Sequence, residues 1–420
     1  MNRQKIIATA ETILPISSPP ISKGAVLMAD GQIEEIGKAQ NVINKHRNIE
    51  ILNLGKGILL PGFVNAHTHL ELGWITKKLG ECDSFIEWIQ QIIRAKADGV
   101  TTEEIESSVE EGITLLIKNG VTTVGEVSSY DGLDKPLLKR SGLRTVLFTE
   151  LFDRHEEYLD TLSFQDDGLF EERPFPHAPY SCSAGFLKSV LKSFGDRKIP
   201  MGIHAAESDE EVKFIQGEYN DFENKVFPLL GKGTFERDKA RTPLQYLKKL
   251  GLFDKTRFTL VHMVQVLPEE VEDLREFNLG VVLCPRSNFF LKVGTPPVEL
   301  YSKLERIGIG TDGMSSNLNL DFLEELRFFY LTFARRLGRQ APFFTVYLAT
   351  LGGARSLFLE NKIGSLDPGK DADMVFLSPG SSSSNPYISV ISSRQEDVKL
   401  VMVKGKILYS QIDHTANLNV

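Results

Sequence analysis

Cysteine is scarce, with Cys82, Cys182 and Cys284 the only three in 420 residues. No two of them have the close spacing of a thiolate zinc site. That disfavours a disulfide framework and a zinc ribbon, and makes the reducing cytoplasm the expected compartment. Basic residues are outnumbered, 48 Lys and Arg against 56 Asp and Glu, for a formal charge of -8. With no local basic run either, a nucleic-acid partner is not expected. Long apolar runs are missing: nothing approaches the roughly 18 residues that cross a bilayer. The start, MNRQKIIATAETILPISS, lacks a continuous apolar core and a small-residue cleavage site, so no signal peptide and no membrane partner are expected. What is present is ordinary globular composition, 41 % hydrophobic and 25 % charged, in a length suited to a large barrel with a smaller satellite. The expected partner is a small-molecule substrate. A homo-oligomer is compatible with this composition, which does not fix the number of subunits.

The two ends of the chain read alike. In residues 1–60, GAVLMADGQIEEIG sets Asp30-Gly31 between two apolar runs, the signature of a two-residue hairpin turn. In residues 361–420, ADMVFLS and DVKLVMVKGKILYS repeat the strand character, with Lys404-Gly405 at a second tight turn. Between them, apolar β-branched runs alternate with amphipathic helical segments: GFVNAHTHL, VTTVGEVSS, RTVLFTELF, FPHAPYSC, PMGIHAAES, RFTLVHMV, GVVLCPRSN and IGIGTDGMS. One helical segment opens on a Thr101-x-x-Glu104 capping box and stops at Gly120. Eight such strands with helices between them predict an α/β fold, a (β/α)8 TIM-type barrel over 61–360. The two ends, 1–60 and 361–420, are expected to join in a discontinuous β-sandwich, with Ser381–Ser384 as a surface loop.

Reactive groups in such a barrel sit at the C-terminal ends of the strands. The first strand ends His67-Thr68-His69, and residues two apart on a strand point the same way, so both imidazoles can aim at one point. The fifth ends His204-Ala205-Ala206-Glu207, the sixth Val261-His262-Met263, and the eighth Gly310-Thr311-Asp312-Gly313. Five of the eight histidines, His177 included, fall at expected strand ends, which core packing gives no reason for. His46 and His414 fall in the satellite, as solvated side chains. Three imidazoles and a carboxylate from this set suit one divalent ion, Zn²⁺ or Fe²⁺, with a position open for water. A two-metal site would usually need a bridging ligand, often a lysine at the end of the fourth strand, and RPFPHAPYSC has none.

These motifs, PGFVNAHTHLEL, PHAPYSCS, IHAAES, LVHMV, VVLCPRSN and GTDGMSSN, followed by ATLGGARSLFLENKIGSLDPGKDADMVFL, resemble the amidohydrolase superfamily along nearly the whole chain. The chain is most similar to the branch that deaminates adenine-type rings. The resemblance implies that His67, His69, His204 and Asp312 hold the metal. It implies that Glu207 shuttles a proton to a ring nitrogen and that His262 orients or polarises the attacking water, with Asp312 also taking the water's proton. The chemistry suits these residues. A divalent ion lowers the pKa of water towards ~7, and attack on the amino-bearing carbon is tolerable only if the adjacent ring nitrogen is protonated.

Substrate contacts are open to several readings. The resemblance implies that His177 touches the sugar or the ring. Trp88, in SFIEWIQQIIRAK, either stacks on the base or packs with Phe85, Ile89 and Ile92. Adenosylhomocysteine deaminases carry a glutamate for the ribose hydroxyls where this chain reads Arg94-Ala95-Lys96-Ala97. The SFIEWI segment, the insertion 217–242 and VVLCPRSNFFLKVGTPPVEL look more like aminodeoxyfutalosine deaminases of menaquinone synthesis, whose substrate carries a benzoate that Arg94 or Arg286 could receive. The alternatives are adenosylhomocysteine or methylthioadenosine, or another ring altogether, as in guanine or cytosine deaminases and triazine chlorohydrolases. A barrel that has lost its chemistry is a further alternative, against which every expected ligand is present.

Overall fold

The computed structural model describes residues 5–234, 236–380 and 383–412. Five strands open the chain: β1 (Lys5–Ile13), β2 (Ile21–Ala29), β3 (Gln32–Lys38), β4 (Glu50–Asn53) and β5 (Ile58–Pro61). Eight follow with helices between them: β6 (Phe63–Thr68), β7 (Val121–Ser128), β8 (Arg144–Leu151), β9 (Phe170–Pro176), β10 (Met201–Ala205), β11 (Phe258–His262), β12 (Gly280–Leu283) and β13 (Ile307–Ile309). The last three are β14 (Met374–Leu377), β15 (Val398–Val403) and β16 (Lys406–Ser410).

The chain ends join through β14, which pairs antiparallel with β5 and gives one eight-stranded sheet in the order β16-β15-β14-β5-β1-β2-β3, with β4 beside β1. Alternate residues of this sheet, among them Ala8, Val26, Leu59, Met374, Phe376 and Leu400, pack into a single buried cluster, so the sheet folds around its own core. Both expected turns have two left-handed residues, Asp30 (φ 51°) with Gly31 (φ 83°) and Lys404 (φ 48°) with Gly405 (φ 71°), the geometry that matches the twist of a hairpin. His46 is half-buried against Glu35, Nε2 to Oε2 2.7 Å, and is not simply solvated. His414, Ser381 and Ser382 lie outside the described residues.

The eight middle strands form two four-stranded parallel sheets, β6-β7-β8-β9 and β10-β11-β12-β13. Val64, Val127, Val146, Phe148, Phe175, Val261 and Val282, drawn from both sheets, pack into one cluster. At one seam His204 N–H donates to His177 C=O (3.0 Å), and at the other Asp312 N–H donates to His67 C=O (3.1 Å). Gly310 permits the second approach, since a Cβ there would lie 2.6 Å from the His67 carbonyl oxygen. The helix Thr102–Lys118 has the expected Thr101–Glu104 capping box and buries Ile105, Val109, Ile113 and Leu116, one stripe at helical spacing. Among the described residues, no helix is long and apolar enough to cross a membrane.

A buried arginine at the start of β8 ties the parallel strands to the folded sheet. Arg144 donates from Nε to Asp373 (2.8 Å), from Nη2 to Asp371 (2.6 Å) and from Nη1 to the Gly168 carbonyl (2.6 Å). Removing one partner of a buried pair strands the other charge without compensation, typically at a cost of 3–5 kcal/mol. Arg144→Leu should therefore lower stability by about 3–5 kcal/mol in urea unfolding. Adding Asp371→Asn and Asp373→Asn should restore much of that loss. A single-variant effect below ~1 kcal/mol would show that the tie is only superficial.

Candidate metal centre and active site

The strand ends converge. β6 carries register irregularities between Phe63 and Val64 and again between Asn65 and Thr68, and bulges of this kind re-aim side chains next to active sites. His67 ends up fully buried, with His69 one residue past the strand. The ends of β10, β11 and β13 turn through left-handed residues, Ala206 (φ 53°), His262 (φ 77°) with Met263 (φ 47°), and Asp312 (φ 57°). Such positions cost of order 1–3 kcal/mol each and persist where the surroundings over-determine them.

His204 Nε2 lies 3.4 Å from His67 Nε2 and 3.4 Å from His69 Nε2. Asp312 Oδ1 lies 3.4 Å from His67 Nε2 and 3.6 Å from His69 Nε2. Ligand atoms about 2.0–2.1 Å from a common tetrahedral centre are roughly 3.3–3.4 Å apart, so these separations fit one divalent ion. Donor atoms of His67, His204 and His262 also lie within 4.8 Å of one another, which brings His262 to the edge of the same cluster.

The electrostatics suit ligation. Burial pushes His69 and His204 well below the usual histidine range, His67 adding to the effect on His69 and His177 to that on His204. Burial also takes His262 down to about 4. Neutral imidazoles with free lone pairs are the ligating form. Burial acts the other way on Asp312, but the contact with His67 and the facing imidazoles outweigh it and hold the carboxyl well below the usual range. Its Oδ2 accepts from Ser287 (2.6 Å) and Ser316 (2.8 Å), leaving Oδ1 for the cluster. His204 Nδ1 is 3.0 Å from the His177 carbonyl and His262 Nδ1 3.0 Å from Asn288 Oδ1, contacts that fix both rings.

Glu207 is buried and precedes the helix Asp209–Gln216, whose N-cap is Ser208, so it is not itself the solvated start of that helix. Its Oε1 lies 3.5 Å from His262 Nε2. Burial, with Asp312 and Glu211 nearby, raises its pKa well above the carboxylate range, which favours the protonated form. Glu211 accepts from the backbone N–H groups of Ala206 (3.1 Å) and Glu207 (2.8 Å), which holds the turn.

His69, His204, Glu207, His262 and Asp312 open into a cavity of about 490 Å³, the size of a small-molecule site. Trp88, Ile92 and Ile93 form one wall, and Val226, Phe227 and Leu230 of the 217–242 insertion form another. Trp88 Nε1 donates to the Ser315 carbonyl (2.7 Å) and its ring lies 5.7 Å from Phe85, so packing fixes it while one edge lines the cavity. His177 also lines it, with Nδ1 2.6 Å from Ser181 Oγ.

The two arginines singled out from the sequence do not line this cavity. Arg94 is exposed on the helix Phe85–Ala97. Arg286 pairs with Glu324 (3.2 Å) and donates to Asn319 (3.1 Å), bracing the loop, because a buried guanidinium needs nearby acceptors. Its motif contributes Ser287 and Asn288 to the site instead. The cavity's cations are Lys96, Arg154 and Lys232, none with a carboxylate partner within 4.0 Å among the described residues. Sequence reasoning missed them, and also Glu150, although the alternation Val146, Phe148, Glu150 along one face of β8 was a usable signal.

The model of the amidohydrolase family matches residues 58–408. A 5-methylthioadenosine/S-adenosylhomocysteine deaminase of Moorella thermoacetica is 29 % identical over 429 residues, covering 97 % of this chain and 94 % of that protein. An adenosine deaminase of Xanthomonas campestris solved with bound zinc has a TM-score of 0.80 at 24 % identity, covering 98 % of this chain and 96 % of that one. The aminofutalosine deaminase of Helicobacter pylori, in complex with methylthio-coformycin, has a TM-score of 0.81 at 24 % identity, covering 96 % and 99 %. The chain belongs to the amidohydrolase family.

A site of this kind should show its metal in stability as well as in activity. Stripping with a chelator should lower the thermal midpoint, and restoring zinc at 100 times its dissociation constant should return about 2.7 kcal/mol. His204→Ala should lose both the bound ion and the shift. Two ions per chain, both needed for that stabilisation, would contradict a single-ion centre.

Proposed function

We propose that this amidohydrolase is a metal-dependent hydrolytic deaminase of a 6-aminopurine nucleoside. The observation that carries the reading is Glu207, a buried carboxyl 3.5 Å from His262 at the edge of the imidazole cluster, facing an apolar cavity, where burial favours its protonated form. His67, His69, His204 and Asp312 are assigned as the ligands, with zinc favoured over iron. The donor set, three imidazole nitrogens and one carboxylate, suits either ion, and the zinc bound in the adenosine deaminase of Xanthomonas campestris supports the first. When bound, the ion supplies Lewis acidity that lowers the pKa of water to about 7. Asp312 Oδ1 takes the proton that water gives up. Glu207 donates its proton to the ring nitrogen next to the amino-bearing carbon, which makes that carbon attackable, and His262 Nε2 orients the incoming water. The C–N bond breaks as ammonia leaves with the proton relayed by Asp312, and the proton that the added hydroxyl loses as the carbonyl forms returns to Glu207. We read the two parallel sheets as one closed (β/α)8 barrel spanning 61–360, a reading supported by the two seam hydrogen bonds, with the satellite formed by 1–60 and 361–420.

For the substrate we favour aminodeoxyfutalosine. Lys96, Arg154 and Lys232, not Arg94 or Arg286, are the groups that would receive its carboxylate, and their lack of carboxylate partners in an apolar cavity supports this. The relative named for methylthioadenosine and adenosylhomocysteine supports the alternative, a neutral or zwitterionic 5′ group.

Glu207→Gln should cut turnover by roughly 10²-fold or more while leaving metal content intact, since the residue is an acid and not a ligand. Near-native rates would remove the proton-shuttle role. Measured as ammonia release, Arg154→Ala should lower kcat/KM for the carboxylate-bearing nucleoside by at least ~10-fold relative to methylthioadenosine, the scale of one charge-assisted hydrogen bond. Equal losses on both substrates would leave the deaminase reading and remove the carboxylate one.

A further inference from the structure

Of the three carboxyls that line the cavity, Glu150, Glu207 and Asp312, the first takes no part in the proposed deamination. Glu150 is the penultimate residue of β8. Side chains alternate along a strand, and Val146 and Phe148 on the same face pack in the cluster shared by both parallel sheets, while Leu147 and Leu151 pack in the cluster that includes the outer helices. Glu150 is therefore the uppermost inward residue of β8, and its carboxylate lines the cavity.

The side chain is only 7 % exposed, yet among the described residues no donor hydrogen-bonds to it, and His177 Nε2 at 3.8 Å is its nearest cationic contact. A carboxylate held largely out of water and without partners is costly, and what lines a cavity in that state is poised for a donor carried by the ligand. It offers two acceptor oxygens side by side. Two adjacent hydroxyls match that pair, as when an acidic residue accepts from the ribose of a dinucleotide. Its place also fits: the His177 ring lies 5.0 Å from the His204 ring, so Glu150 is one side chain removed from the imidazole cluster. In a nucleoside, the sugar is the part next out from the base.

We propose that Glu150 accepts hydrogen bonds from the vicinal hydroxyls of the substrate's sugar and so selects ribonucleosides over deoxynucleosides. The proposal rests on the nucleoside-deaminase reading, and it assigns Glu150 to binding and specificity, not to the chemical step. The same carboxylate could instead pair with an ammonium on a zwitterionic 5′ group, which the following experiment separates.

The test compares methylthioadenosine with its 2′-deoxy and 3′-deoxy counterparts, and with adenosylhomocysteine, on wild type, Glu150→Gln and Glu150→Ala. Wild type should prefer the ribo form by at least ~10-fold in kcat/KM, the scale of a hydrogen bond to a charged group. Both variants should collapse that ratio to within about threefold, mainly through KM. Metal content and thermal midpoint, measured alongside, show whether a variant is folded, and the wild-type ratio stands as a test even if neither is. A wild type that treats ribo and deoxy forms alike overturns the proposal. So does a folded variant that loses all substrates equally, or one that selectively loses adenosylhomocysteine with the ribo-to-deoxy ratio intact. A wild type that deaminates no 6-aminopurine nucleoside overturns the deaminase reading itself, and this proposal with it.

Discussion

Buried lone pairs of His67, His69 and His204 converge to 3.4 Å, and an ionised Asp312 faces two of them at 3.4 and 3.6 Å. Desolvation keeps His69 and His204 neutral, so neither can neutralise the carboxylate by taking up a proton. A shared cation would resolve this arrangement, and much of the surrounding structure holds the four side chains in place. The irregular β6, the left-handed turns after three strands, the glycine at 310 and the two hydroxyls on Asp312 Oδ2 hold these side chains and His262 in position. None of them is explained by the packing of the core.

The cavity then separates its carboxyls by environment. Asp312, among imidazoles and hydroxyls, stays ionised. Glu207, in apolar surroundings near other carboxyls, is pushed towards its protonated form. In the proposed deamination this split assigns Asp312 to accept a proton and Glu207 to give one. Strand β8 carries a related division along its length. Arg144 at its start locks the parallel strands to the folded sheet, and Glu150 near its end faces the cavity. Stability and recognition thus sit at opposite ends of one strand, as is usual where parallel strands present their C-terminal ends to a ligand.

Much of this was legible in the sequence because it is local. Apolar, β-branched runs between amphipathic segments located the eight strands, and the dipeptides Asp30-Gly31 and Lys404-Gly405 located the hairpins. Histidines at the ends of runs stood out because imidazole is rare and has no packing reason to gather there. What depends on distant segments was not legible. Arg286 looked available for an anion, but its charge is taken up by Glu324 and Asn319, more than thirty residues away. Arg154 and Lys232 lie in segments with no periodicity, and only the closure of the 217–242 insertion over the strand ends makes them part of a wall.

The central claim is that one divalent ion sits among four named donors. Anomalous diffraction at the zinc edge, from crystals of the zinc-restored protein, tests it most directly. The account predicts a single peak bounded by Nε2 of His67, His69 and His204 and by Oδ1 of Asp312. No peak between these atoms, or a second peak of similar height beside it, would contradict it.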